Sequence, residues 1–297
     1  MNRRWPERAP VGRTAYVNGR YLPHSGASVH IEDRALQFGD GIYEVVGVYG
    51  GRIFDEEEHL DRLERSLGEI GMAMPMGRAA LKAVIREMAR RNRVRDGMIY
   101  MQVTRGAHRR DHPVPDGAGR PTLIVTAKTL DPVQTARRRA EGVTVVTRPD
   151  ERWARCDIKA TALLPNVLAK TEARRAGAYE AWLVDGDGFV TEGSSTTAWI
   201  VDAEGRIVTR DLSHAILPGV TRRVILEAAA GAQLAVVERK FRPEEAARAR
   251  EAFLTAASAG AMPIVAIDGK PVGDGKPGPV TKRIQELYER LAGSRSG

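Results

Sequence analysis

The sequence predicts an α+β fold in two domains. Three observations lead there. The 297 residues exceed what one ordinary domain needs, and 42% of them are hydrophobic, enough for real cores. Strand-like and amphipathic helical segments follow one another in blocks. A break near residues 130 to 135, around "LDPVQTA", reads as a linker between two such blocks. The predicted boundaries are a loose basic extension over 1–13, a small N-terminal domain over 14–132 and a larger C-terminal domain over 133–297.

The elements follow in order. "AYVNGRYL" carries an Asn18-Gly19 hairpin signal between short apolar stretches, and "GIYEVVGVYGGRIF" turns at Gly50-Gly51. Leu60, Leu63, Leu67 and Ile70 recur at helical spacing, and "GRAALKAVIREMARRN" repeats the pattern. "MIYMQVTRG" and "PTLIVTAKTL" are strand-like and flank the Pro- and Gly-rich loop "AHRRDHPVPDGAGRP". Loops on a rigid scaffold commonly carry function. Beyond the break come "GVTVVTRP", a helix from about Thr161 to Gly177, the hairpins "EAWLVDGDGFVTEG" and "TAWIVDAEGRIVT", and a helix after Gly219.

Composition narrows the function classes. A single cysteine, Cys156, excludes an internal disulfide framework. The basic start "MNRRWPERAPVGR" leads into no apolar stretch of signal-peptide or membrane-span length, so a cytoplasmic protein without a membrane role is expected. The net charge of +8 comes from dispersed arginines, and no motif that reads nucleic acid accompanies it, so no nucleic-acid partner is expected. "GDGIYE" fits neither a P-loop nor a dinucleotide fingerprint.

Three short stretches carry chemistry. Lys159, in "RCDIKATALLPNVLAK", follows Asp157 and Ile158 and precedes Leu163 and Leu164. Alone, it reads as a surface lysine; a Schiff-base lysine must be partly desolvated, and those apolar neighbours make such a site possible. Glu192, in "VTEGSS", reads as a turn cap or as the acid that keeps a pyridine nitrogen protonated beside such a lysine. In "ILPGVTR", Gly219 and Val220 lead into a helix with Thr221 in its first turn, where N–H groups and a hydroxyl could hold a phosphate. Cys156 reads as a small buried hydrophobe.

Taken in order, "FGDGIYEVV", "EEHLDRL", "YMQVTRG", "RCDIKATALLPNVLAK", "VTEGSS" and "ILPGVTR" resemble the fold-type IV pyridoxal phosphate aminotransferases over roughly residues 14 to 290. The resemblance implies a two-domain α+β fold with pyridoxal 5'-phosphate between the domains. It implies that Lys159 forms the Schiff base and shuttles a proton, and that Glu192 pairs with the ring nitrogen. Arg62, Val220, Thr221 and the backbone of Ala257 would hold the phosphate, and Leu217 would pack on the ring. Without the resemblance, Arg62 is a solvated helix charge.

The substrate-facing residues resemble those of family members that act on D-amino acids. Tyr43, Arg110 and His112 match the positions that hold the substrate carboxylate, a task suited to a guanidinium with two parallel donors. The resemblance further implies that this loop reaches a neighbouring subunit's site in a homodimer. Without it, Arg109, Arg110 and His112 simply solvate a loop. His108, Asp111 and His112 lack helical spacing, and no metal site is expected. Two departures stand out: Thr197 where an asparagine is usual, and Ala256-Ala257 where Ser-Thr is frequent. The expected activity is D-amino-acid:2-oxo-acid transamination. Branched-chain L-aminotransferase, (R)-selective amine transaminase and aminodeoxychorismate lyase share the core residues. A non-catalytic basic binding protein is the rival from another class.

Overall fold

The computed structural model describes residues 12–116 and 119–294, so the expected N-terminal extension lies outside the described residues up to residue 11. The chain divides into two compact units. One runs to Leu130 and takes in Lys159–Ala162; the other comprises Asp131–Ile158 and the chain from Leu163 onward.

The first unit contains β1 (Thr14–Val17), β2 (Arg20–Pro23), α1 (Arg34–Phe38), β3 (Gly41–Tyr49), β4 (Arg52–Ile53), α2 (Glu56–Glu69), α3 (Arg78–Arg91), β5 (Gly97–Thr104) and β6 (Thr122–Thr129). The strands form one antiparallel sheet in the order β2-β1-β6-β5-β3-β4. At the first hairpin Asn18 and Gly19 both take positive φ (46° and 91°), the twist that a two-residue turn between paired strands requires. Helix α2 opens with Glu56, Glu57 and Glu58, which favour the positive end of its dipole. It packs on β3 through Leu60, Leu63 and Leu67, all fully buried. Leu81, Ile85 and Met88 of α3 are buried as well, and that helix lies on β6 and β1. Each such side chain contributes about 1.5–3 kcal/mol by leaving water.

The second unit contains α4 (Pro132–Glu141), β7 (Val143–Pro149), α5 (Leu164–Arg175), β8 (Glu180–Val184), β9 (Val190–Gly193), β10 (Thr197–Val201), β11 (Ile207–Thr209), α6 (Val220–Gly231), β12 (Val236–Glu238), α7 (Pro243–Ala247), β13 (Glu251–Ala256), β14 (Gly260–Ile267), β15 (Lys270–Pro271) and α8 (Pro279–Ser294). Its sheet is mixed, in the order β12-β11-β10-β13-β14-β7-β8-β9, with β15 paired to β14. The pairs β11/β12, β14/β7 and β7/β8 are parallel. Val145, Trp182, Ile200, Val208, Leu254 and Ile264 belong to one core on this sheet. Trp199 and Phe253 stack on each other at 5.4 Å, and the indole N–H donates to Thr255 Oγ1.

Two sequence expectations need correction. The stretch read as a linker is helical. Asp131 caps it by accepting from the N–H groups of Val133 and Gln134, and Pro132 occupies the first turn, where its missing N–H costs nothing. Its residues show no buried apolar stripe, which is why periodicity missed it. Leu164, expected to shield Lys159, is 68% exposed at the start of α5; of the named neighbours, Ile158 is the buried one.

Candidate active site

In the first unit, Lys159 is placed by backbone pairing. Ile42 and Ala160 form an antiparallel bridge, the Tyr43 N–H donates to Lys159 O (3.0 Å) and the Thr161 N–H donates to Gly41 O (2.9 Å). Tyr43 and Lys159 therefore oppose each other and share a face. The lysine Nζ sits 4.2 Å from the centroid of the Tyr43 ring, which in turn stacks on Tyr100. Gly39, the left-handed cap of α1 (φ 70°), makes this approach possible. A Cβ there would stand 2.9 Å from Ala162 Cβ, and the Thr161 hydroxyl donates to Gly39 O. That is the structural use of "FGDG".

Strand β3 alternates, so Glu44 falls on the buried side with Ile42, Val46 and Val48. A charge there needs partners. The α2 residues His59 and Arg62, three apart and hence on one helix face, supply them. Arg62 donates from Nε and Nη2 to the two carboxylate oxygens (2.6 and 3.0 Å), and His59 Nδ1 lies 2.8 Å from Glu44 Oε2. Burial pushes the Glu44 carboxyl up, but Arg62 and His59 outweigh it and hold it well below its ordinary value. Burial, with Arg62 and Lys159 adding to it, holds His59 below its own. Arg62 is buried, so the reading of it as a solvated helix charge is overturned.

Arg110 and His112 lie on the exposed loop between β5 and β6. Both stand at Phe38: the Arg110 guanidinium is 4.9 Å from the ring centroid, and the His112 ring 5.4 Å. Among the described residues, no hydrogen bond or ring contact joins either to Tyr43. Sequence reasoning missed Arg34, which holds this loop, and missed Glu44 and His59. A glutamate at a core position of an alternating strand was the available signal.

In the second unit, Glu192 is the penultimate residue of β9. Arg152 Nη1 donates to its Oε1 at 2.5 Å, and the Leu217 N–H lies 3.2 and 3.3 Å from its two oxygens. Leu217, expected at the cofactor ring, fixes the acid through its backbone N–H, and its side chain is half-buried. Arg152 is itself held by Asp150, through Nε and Nη2, and by the Ala215 carbonyl. Burial disfavours the charged guanidinium, but Asp150 and Glu192 reverse this and raise it above its ordinary value. Arg152 was not singled out from sequence.

Buried Glu180, at the start of β8, accepts from the hydroxyls of Ser194 and Ser195, which follow β9, and from the Ala181 N–H, and pairs with Lys170. These bonds lock the small-residue loop. Val220 and Thr221, both buried, open α6, whose N-cap Gly219 makes no side-chain bond. A Cβ on Gly219 would come within 3.1 Å of Thr197 Oγ1 and 3.2 Å of Arg222 Cβ. The departure at Thr197 is therefore accommodated by a close approach to glycine. Ala257 begins the turn joining β13 to β14. Cys156 is buried and donates to Trp153 O, and burial pushes its thiol up to about 11. Among the described residues no group of His, Cys, Asp or Glu is placed to hold a metal ion, and no helix is long and apolar enough to cross a membrane.

In the first unit a lysine stands against an aromatic face, and in the second a carboxylate is held by an arginine. The chain is a member of the amino-transferase class IV family, whose model matches residues 41–267. Its relatives include D-alanine aminotransferase of Bacillus licheniformis, 41% identical over 272 residues, or 92% of this chain and 94% of that protein. D-alanine aminotransferase of Staphylococcus haemolyticus is 38% identical over 282 residues, covering 95% and 98%. Among solved structures, the T.th. branched-chain amino acid aminotransferase with pyridoxamine 5'-phosphate superimposes with a TM-score of 0.87 at 28% identity, covering 97% of this chain and 96% of that one. The Escherichia coli branched-chain enzyme gives 0.87 at 25% identity, covering 96% of both chains.

Proposed function

We propose that this aminotransferase moves an amino group from a D-amino acid, D-alanine or D-glutamate, to a 2-oxo acid such as pyruvate or 2-oxoglutarate, using pyridoxal 5'-phosphate. The observation that carries the substrate class is near-full-length similarity to D-alanine aminotransferases at 38–41% identity. The residues fit the cofactor. Glu192 presents a carboxylate already fixed by Arg152, the Gly219 approach leaves the start of α6 without a side-chain cap, and Arg62 is a buried cation.

When bound, the cofactor supplies an aldehyde for the amine and a cationic ring that draws electrons from the substrate Cα. Lys159 is the covalent anchor and, once released, the base that takes the Cα proton and returns it. The Tyr43 ring steadies its ammonium form by cation–π attraction. Glu192 holds the proton on the ring nitrogen. Arg152 and the Leu217 N–H keep that carboxylate from turning away. Arg62, the α6 N–H groups with the Thr221 hydroxyl, and the Ala257 backbone hold the phosphate. The Leu217 side chain would pack on the ring. The Tyr43 phenol, Arg110 and His112 bind the substrate carboxylate. The active form is a homodimer, in which the 105–121 loop serves the neighbouring subunit, and the protein works in the cytoplasm.

Visible absorbance of the purified protein, before and after adding D-alanine, L-leucine or (R)-1-phenylethylamine, tests this reading. Bleaching of the bound-cofactor band by D-alanine alone is expected. Bleaching by L-leucine or the amine overturns the substrate class. No band after added pyridoxal phosphate overturns the cofactor assignment.

A further inference from the structure

We propose that Arg34, with Phe38, is a positioning residue for substrate-carboxylate binding: together they set where Arg110 and His112 stand. The inference rests on the reading above that those two side chains take the carboxylate.

Arg34 opens α1 and is buried, at 3% exposure, although it carries a permanent charge. Its whole fork is used. Nε donates to Asp40 Oδ2 (2.7 Å), Nη1 to Asp111 O (2.6 Å) and Nη2 to His112 O (3.2 Å). The last two acceptors belong to the peptide planes on either side of His112. Fixing both planes fixes the backbone from which the imidazole projects, in a Pro-rich loop of little regular structure.

Phe38 completes the device. It lies four residues after Arg34 in α1, so the two share a face. The guanidinium of Arg34 is 4.8 Å from the ring centroid, that of Arg110 is 4.9 Å away, and the His112 ring stands at 5.4 Å, tilted by 45°. One aromatic ring therefore meets the buried arginine and both exposed carboxylate-binding candidates. The Asp40 end is anchored in turn. Asp40 accepts a second bond from Arg105 Nε (2.8 Å), and Arg105 Nη2 donates to Ile70 O at the end of α2. The loop's geometry is thereby tied to the rigid part of the unit.

A lysine at position 34 would keep the charge at Asp40 but, as a single point donor group, could not serve both carbonyls and the ring. The test uses holoenzyme variants R34K, R110M, R110M/H112A and R34K/R110M/H112A, with steady-state kinetics on D-alanine. R34K is expected to raise KM roughly tenfold while kcat stays within about threefold, as for loss of a charge-assisted substrate contact. R110M is expected to behave alike. Because Arg34 acts through Arg110 and His112 together, adding R34K to the R110M/H112A background is expected to lower kcat/KM by no more than about twofold, a non-additivity that independent sites do not show.

Wild-type KM in R34K, or an R34K effect that persists in full in the R110M/H112A background, would overturn the inference while leaving the carboxylate reading intact. Unchanged KM in R110M and in an H112A variant would instead sink the carboxylate reading, and this inference with it. Should R34K fail to fold, F38L keeps the three Arg34 hydrogen bonds and removes only the shared ring. The same KM-selective rise is expected there, and a wild-type KM would overturn the role of the pair.

Discussion

Lys159 Nζ stands over the ring of Tyr43, 4.2 Å from its centroid, because the bridge between Ile42 and Ala160 puts residues 43 and 159 directly opposite each other. Tyr43 thus offers its face to the lysine and its phenol to other work. The two roles separate by mutation. Y43F keeps the face and loses the hydroxyl, so KM for D-alanine should rise by about 3- to 10-fold with little change in kcat. Y43L also removes the ring, and kcat should fall roughly threefold or more beyond Y43F, in line with a cation–π contact. Equal kcat in the two variants would show that the ring face does not matter to the lysine.

Glu44 gives a stability prediction. It is fully buried and holds both Arg62 and His59. E44Q leaves the Arg62 charge buried without its carboxylate, which costs about 3–5 kcal/mol and lowers the melting temperature correspondingly. Calorimetry on the protein without cofactor measures this, and a change below about 1 kcal/mol would show that the cluster relaxes into water. Adding cofactor should recover part of the loss if phosphate then pairs with Arg62.

The same cluster sets an acid limit. His59 lies below its ordinary value of 6.5, so the unfolded chain takes up a proton there before the folded one does. Stability is therefore complete above that value and falls as the pH drops below it. Glu44, held below its ordinary 4.5, adds a second loss further down, again on acidification. In thermal unfolding from about pH 7.5 to about pH 5, the wild type should lose stability over the upper window, and H59Q should flatten that arm. An H59Q profile parallel to the wild type would exclude His59 as the source.

These predictions also show what was legible in the sequence. Leucines at helical spacing gave α2, and the Asn18-Gly19 pair gave the first hairpin, because local periodicity and turn chemistry are written in neighbouring residues. Helix α4 was readable only from its cap: Asp131-Pro132 is a helix-start signal, but the residues after it are too polar to show a stripe. Glu192 was singled out through the "VTEGSS" motif, whereas Arg152, 40 positions earlier, had no local mark to distinguish it from the many other arginines. Arg34 was hidden for the same reason, since its acceptors are main-chain carbonyls 77 and 78 residues away. Long-range polar contacts leave no periodicity to read.

The departure at Ala256-Ala257 has a direct test. Ala257 begins the tight turn between β13 and β14, where Ala256 pairs with Gly260 and the Ala259 N–H bonds back to Ala256 O, so side-chain changes at 257 need not disturb the turn's own bonds. A257T should add a hydroxyl donor and tighten pyridoxal phosphate binding by roughly fivefold, the yield of one net hydrogen bond. Titration of the cofactor-free protein by fluorescence or visible absorbance reads it, and unchanged affinity would place the turn away from the phosphate.

Arg152 makes the sharpest demand on the second unit, because it stands between two carboxylates, Asp150 and Glu192. R152M removes the cation they share and leaves like charges side by side, while the Leu217 N–H stays on Glu192. Two losses should follow. Stability should fall by about 3–5 kcal/mol, as when one partner of a buried ion pair is removed. The carboxylate, no longer held at a fixed angle, should serve the ring nitrogen less well, lowering kcat roughly tenfold or more while KM for D-alanine changes little. R152K, which restores a charge without the fork, should recover stability more than kcat. Stopped-flow measurement of the D-alanine half-reaction separates the outcomes. If R152M is destabilised but transfers its amino group at the wild-type rate, Arg152 holds the fold and Glu192 does not depend on it.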